Sequence, residues 1–422
     1  MVAATDFDVA VVGAGIAGCT TAALLGRAGF RVLLLDKAAF PRSKVCGEGL
    51  MPAGAAMLAR LGLLDRLSGS AEGTEDRFVW RPFSGIRLFL PGDCELDLNF
   101  AEISDVATGL ITPRFQLDCE LARFAGEQPG VRLLEEFAVD KIEAGTNSVH
   151  IGGRRLGKRQ TASARVVVAA DGIHSRFHQR FNIRRRQNRN RRFALRATYQ
   201  DTGLAQSMVQ VYYSGIGEAY VAPLGNDRAR ITLLLFGRRS RNGPGEAGNG
   251  RSLTGAARLD AFGEAIRRFP RLCEKLPDPY PPESVEATAP VSLRVSRCHG
   301  HRLVLVGDAA GAVDAITGQG MTHALQDAYL ASCILSDRLH DDHLEESDLE
   351  VYTRQREVYF KPSFQFAELI STALRRRFLA RQITCALAHN ASLRRKLVSA
   401  ASGCFPFPRF TWTDRLHLLL GR

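Results

Sequence analysis

Residues 13–18 read Gly-Ala-Gly-Ile-Ala-Gly, and an acid, Asp36, closes the next apolar run. That spacing suits backbone recognition of a pyrophosphate. Gly13 permits a tight turn, Gly15 lets the main chain approach the phosphates, and Gly18 lets a helix pack against a strand. Ala17 falls in the first helical turn, where unpaired N–H groups and the positive end of the helix dipole favour anions. Asp36, with Lys37 beside it, is placed to accept from ribose hydroxyls. The pattern predicts a dinucleotide site.

Such a site needs a strand, a helix and a second strand in strict order. Residues 8–12 read as a buried strand, small residues carry a helix through Leu25 to a stop at Gly29, and Val32–Leu35 form the second strand. Ala22, Leu25, Gly29, Val32 and Asp36 keep one register, which a merely flexible glycine turn would not require. Two more apolar runs end in acid–glycine turns, one at Asp171-Gly172 and one at Gly307-Asp308. Helical periodicity marks 114–127, 254–275 and the chain from 320 onward. Strand-like alternation marks 78–101, then Phe193–Tyr199, Met208–Tyr213, Ala219–Ala222 and Ala229–Phe236. Gly237 to Arg251 is polar and glycine-rich, which predicts a mobile loop, and a Pro-rich connector follows at 277–282.

Four motifs in this order resemble the flavin monooxygenases of the para-hydroxybenzoate hydroxylase type and their relatives, the geranylgeranyl reductases and flavin halogenases. They are the glycine loop, the helix start at Arg114, and the turns at Asp171-Gly172 and Gly307-Asp308. The resemblance spans roughly 6–345 and implies an α/β fold. A Rossmann-like FAD-binding domain would be built from 1–77, 102–182 and 285–345. An antiparallel β-sheet substrate domain would be inserted at 78–101 and 183–284, with C-terminal helices over 346–422. It implies FAD as cofactor and NAD(P)H as a transient electron donor, since a second glycine fingerprint is lacking.

The resemblance also implies roles. Arg114 would lie along the flavin, Asp308 would hold ribityl hydroxyls, and Gly318, Gly320 and Met321 would offer backbone N–H groups to the charge that reduction places on the ring. In the loop Pro41–Leu50, Arg42 and Gly47 would serve the cofactor, and Cys46 and Glu48 would face the cavity. Cys46 reads as a proton donor or as a small wall residue. Glu48 reads as a buried general acid or as a surface loop residue. Tyr220 stands where the family usually carries tryptophan before Pro223, either facing the flavin or packing in a core.

The sequence does not choose the reaction. Gln319 to Asp327 resembles the aromatic hydroxylases, which ranks first an NAD(P)H- and O2-dependent hydroxylation of an electron-rich substrate. That substrate would be a small molecule, free or bound to lipid, carrier protein or peptide. Cys46-Gly-Glu-Gly and Gly311 after Asp-Ala-Ala resemble the prenyl reductases, which gives double-bond reduction as the alternative. A flavin-binding docking or maturation factor is the third reading. The halogenases' Trp-x-Trp-x-Ile-Pro is absent, since Trp80 and Trp412 stand alone.

At 422 residues the chain is long enough for several lobes, and 45% hydrophobic with 24% charged residues is ordinary for a globular protein. Nine scattered cysteines without Cys-x-x-Cys pairs argue against a disulfide framework or zinc site. With the first strand beginning near Asp8 and no bilayer-length apolar run, a cytoplasmic protein is expected. The net charge of +12 comes from arginine, crowded at 176–196 and again at 375–377 and 394–396. These clusters read as a solvated surface, or as a docking face for an acidic partner or anionic membrane. Nucleic acid is not expected, because no recognition fold accompanies the charge.

Overall fold

The computed structural model describes residues 5–421 apart from 69–79, 91–93, 105–106, 187–191, 201–203, 205–206, 238–254, 277–281, 283, 342 and 404–406. The predicted loop after Gly237 and most of the Pro-rich connector lie outside the described residues.

The nucleotide-binding sheet forms around apolar, buried stretches such as Val9–Val12, Val32–Leu35 and Val166–Ala169, which can be covered on both faces. Leu303–Leu305, Lys158–Ala169, Phe7–Val12, Val32–Leu35 and Val131–Leu134 lie side by side in that order, all parallel. His299–Gly300 adds an antiparallel edge, and the outer half of Lys158–Ala169 pairs with a meander of Val149–Arg155 and Phe137–Ala144. Helices α1 (Ile16–Arg27), α2 (Pro52–Arg60), α3 (Leu64–Ser68) and α4 (Arg114–Gly126) precede the long strand, and α5 (Phe177–Arg180) follows it. Helix α1 crosses so tightly that a Cβ on Gly18 would stand 1.8 Å from the Gly13 carbonyl oxygen. No residue but glycine fits there.

The second sheet has seven strands. Its order is Glu286–Thr288, Arg192–Tyr199, Arg228–Phe236, Gly217–Gly225, Met208–Ser214, Gly85–Leu90, Cys94–Asn99. The sequence reading expected this sheet to be antiparallel, and one pair is not: Met208–Ser214 runs parallel to Gly85–Leu90. The two strands belong to separate excursions of the chain, and the long connection between them frees the pair from hairpin geometry. Arg81–Phe83, within the stretch read as substrate sheet, pairs instead with Gly109–Ile111, which also pairs Gly49–Leu50.

One face of this sheet packs on α6 (Gly255–Ile266) and α7 (Pro270–Cys273). The sequence predicts a single helix there, but Pro270 has no N–H to continue one and starts a new helix instead. The chain then returns through Leu303–Leu305 to α8 (Gly320–Leu339) and α9 (Glu346–Leu374). Helices α10 (Arg377–His389), α11 (Ala391–Ser402) and α12 (Trp412–Leu420) follow. Side chains of α10 and α11 join the core on the sheet's other face. Among the described residues no helix is long and apolar enough to cross a membrane.

Candidate functional site

Helices α1 and α8 aim their N-termini at one cavity, and neither start carries a side-chain cap. Gly15, Ile16 and Ala17 line it from α1, and Gly318, Gly320 and Met321 from α8. A Cβ added at Gly15 would meet nothing closer than Arg42 Nη2 at 3.6 Å, and one at Gly47, Gly172 or Gly320 would meet nothing within 4 Å. The glycines therefore leave room beside N–H-rich backbone, a cradle suited to phosphates and a polar ring edge. Gly13 and Gly307 do not line the cavity. Gly13, at φ +104°, makes the turn against Ala170, and Gly307, at φ +60°, lies against Ala17.

Behind the cradle runs a chain of alternating charges. Asp36 is buried and accepts the N–H of Ala14 at 2.8 Å and of Ala38 at 2.9 Å. Arg42 joins Asp36 at 3.2 Å to Asp118 at 3.1 Å. Asp118 in turn binds Arg114, one helical turn back, through two bonds of 2.8 Å. Burial opposes the charge on Arg114, but Asp118 outweighs it and raises the guanidinium's pKa. The Nε–H of Arg42 is buried with no hydrogen-bond partner among the described residues, a donor open to a ligand. These groups fit the adenosine and pyrophosphate half of a dinucleotide. Lys37 is exposed and lines nothing, and Asp171 is also exposed, its carboxylate accepting the Arg176 N–H at 3.2 Å.

At the other end stands Asp308, whose side chain keeps 29% of its surface, facing the cavity. Burial alone would raise its carboxyl, but Lys44 Nζ at 3.0 Å holds it below the ordinary range. The Gly307-Asp308 turn is fixed from behind, because Asp327 of α8 accepts the Gly307 N–H at 2.7 Å. Tyr352 Oη at 2.7 Å and Arg356 Nε at 3.0 Å, both on α9, complete the Asp327 shell.

The loop before Gly49 carries Cys46 and Glu48. Cys46 lines the cavity, with its thiol sulfur accepting the Glu48 N–H at 3.4 Å and the Arg114 guanidinium interacting with it. Glu48 matches neither sequence reading. It is buried at 1% exposure, at φ +61°, with one carboxylate oxygen on Arg196 and the other on Arg230, each at 3.0 Å. Arg196 also binds the carbonyls of Lys44 and Cys46 and pairs with Glu286. Both Glu48 oxygens are engaged by guanidinium groups, so this residue pins the loop to the seven-stranded sheet. Tyr220 lines the cavity and donates its hydroxyl to the Ile316 carbonyl at 3.2 Å, and burial pushes its phenol well up. Tyr213 lies beside it with its phenol raised to about 12 by burial, so both rings stay protonated.

From this end the cavity, about 340 Å³, continues between the seven-stranded sheet and the C-terminal helices. Ile86, Leu88, Val209 and Val211 form its floor. The roof is Phe366, Ile370 and Leu374 on α9, Ile383 and Leu387 on α10, Leu393 and Leu397 on α11, and Leu418 on α12. Apart from Tyr213, Tyr220 and two threonines, that extension is apolar.

Sequence reasoning missed Lys44, Asp118, Arg196, Arg230 and Tyr213. Asp118 alone left a signal, four residues after Arg114 on one helix face. The arginine cluster at 176–196 also divides. Arg176, Arg180 and Arg184–Arg186 are exposed, whereas Arg192 and Arg196 are internal. Arg192 pairs with Glu218 and, at 2.9 Å, with Asp314. Arg189 and Arg191 lie outside the described residues.

Comparison with known proteins places this geometry. The family described as FAD binding domain matches residues 6–367. A digeranylgeranylglycerophospholipid reductase of Methanopyrus kandleri is 27% identical over 370 residues, covering 86% of this chain and 85% of that protein. A kynurenine 3-monooxygenase of Salinispora arenicola is 27% identical over 339 residues, covering 76% and 70%. Among solved structures, a flavoprotein/dehydrogenase from Cytophaga hutchinsonii shares the fold with a TM-score of 0.78 at 19% identity, over 98% of this chain and 96% of that one.

Proposed function

The chain belongs to the FAD binding domain family and is an FAD-dependent oxidoreductase, and we propose that it reduces a carbon–carbon double bond in a long, isoprenoid-like substrate. The observation that carries this reading is the apolar cavity running from the Cys46 loop to the C-terminal helices. An extended hydrocarbon chain gains by leaving water for such a wall, about 0.8 kcal/mol per buried CH2. A relative named for reducing a digeranylgeranyl lipid supports it.

In this reading bound FAD, reduced by NAD(P)H, supplies a hydride, and every other contribution is the protein's. The uncapped starts of α1 and α8 hold phosphate and ring. Asp308 holds the polyol chain, and the apolar walls exclude water and orient the alkene. With the flavin supplying hydride to one alkene carbon, the Cys46 thiol would give its proton to the other and regain one from solvent, so that the C=C becomes CH–CH. Tyr213 and Tyr220, protonated at neutral pH, bring hydroxyl groups to the cavity wall beside its apolar extension.

Anaerobic incubation of holoprotein with NAD(P)H and a polyprenyl substrate should yield product two mass units heavier. Cys46→Ser should keep its FAD and lose about 10²-fold in turnover. Hydroxylation is the second reading, supported by the kynurenine 3-monooxygenase relative. Product carrying an atom from labelled oxygen gas, with no anaerobic turnover, would establish hydroxylation and sink the reductase.

A further inference from the structure

We propose that the outer surface of helices α10–α12 seats the protein on an anionic lipid bilayer. Three observations on this segment converge. The first is charge: residues 375–422 hold ten basic side chains against the single acid Asp414, or +9 of the chain's formal +12. Arg376, Arg381, Arg395 and Arg409 are exposed.

The second is apolar exposure in the same segment. Trp412 is 83% exposed, Phe378 68% and Leu416 52%, and Leu369, just before it on α9, is 56% exposed. Large aromatic and aliphatic side chains set among arginines match a membrane interface, where rings and methyl groups enter the acyl boundary while guanidinium groups meet phosphates. A soluble acidic protein or a nucleic acid would complement the charge and leave Leu416 and Phe378 without use.

The third is continuity with the cavity. The helices that expose Phe378 and Trp412 outward turn Ile383, Leu387 and Leu418 inward as cavity wall. A lipid chain leaving a bilayer at this face has only one layer of helices between it and the apolar interior. Among the described residues of 173–196 no large apolar side chain is strongly exposed, which favours docking at the C-terminal face instead.

Vesicle binding involves no turnover, so this inference stands or falls apart from the proposed reaction. Full-length holoprotein should co-sediment with vesicles of phosphatidylcholine and phosphatidylglycerol, and not with phosphatidylcholine alone. Binding should weaken as salt rises. Arg376→Glu combined with Arg395→Glu should reduce partitioning about tenfold or more, and so should Trp412→Ser. FAD absorbance and unfolding temperature should be unchanged in both. Tryptophan emission should shift to the blue on binding, and Trp412→Phe should abolish the shift. Absence of binding to anionic vesicles would overturn the proposal. So would undiminished binding by both variants, or binding to heparin and duplex DNA without binding to vesicles.

Discussion

Single residues in the glycine loop separate folding from ligand binding. A side chain at Gly13 or Gly18 collides with backbone, at 2.5 Å and 1.8 Å respectively, so those variants test only whether the protein folds. Gly15 is different, because the space beside it is open. Gly15→Val should therefore fold with near-native circular dichroism and yet purify colourless, its branched side chain standing where phosphates approach. A yellow Gly15→Val protein with bound FAD would remove the pyrophosphate from this loop. The loop was legible from sequence because its constraints are local, each glycine being required by atoms within a few residues or by the ligand. Glu48 was not legible. The arginines that hold it lie 148 and 182 residues away, and nothing in Cys-Gly-Glu-Gly announces them.

Among the elements, α8 and α9 act as one buttress. Asp327 on α8 accepts from the Gly307 turn, from Tyr352 and from Arg356, all buried. Asp327→Ala leaves the Arg356 charge without its carboxylate in the interior, which typically costs about 3–5 kcal/mol. The Gly307-Asp308 turn loses its anchor at the same time. The midpoint of denaturant unfolding should drop, and FAD should bind more weakly to the fraction still folded. An unchanged midpoint would make the network incidental. Element positions were largely readable, since strands such as Val32–Leu35 and helices such as α4 follow local periodicity. The roof of the cavity was not. Leu393 and Leu397 have the spacing of any helix that packs on a core, and sequence does not tell filled space from open space.

At the scale of the whole molecule, burial controls the response to acid. Burial, reinforced by Arg356, pushes the His323 imidazole down to about 3. Burial also lowers His178 and His299 below the ordinary 6.5. In the unfolded chain all three take up protons near 6.5, so below that value the unfolded state binds more protons than the folded one. Their contribution to stability is complete above about pH 7 and is lost progressively as pH falls toward the folded values. The unfolding temperature should decline between about pH 7 and about pH 5, and His323→Gln should flatten that decline. An equal slope in the variant would place the sensitivity elsewhere.

The parallel pairing of Met208–Ser214 with Gly85–Leu90 reaches further than its effect on one edge of a sheet. The chain leaves the nucleotide-binding sheet for the seven-stranded sheet, returns, leaves again and returns once more, so four covalent crossings stitch the two together. Proteins joined by a single linker can open like a book. This one is sewn along its spine, and four crossings restrain its two sheets where a single linker would leave them free. The C-terminal helices are held to that body differently, through side chains of α8 such as Gln326, which donates to the Gly403 carbonyl at 2.9 Å.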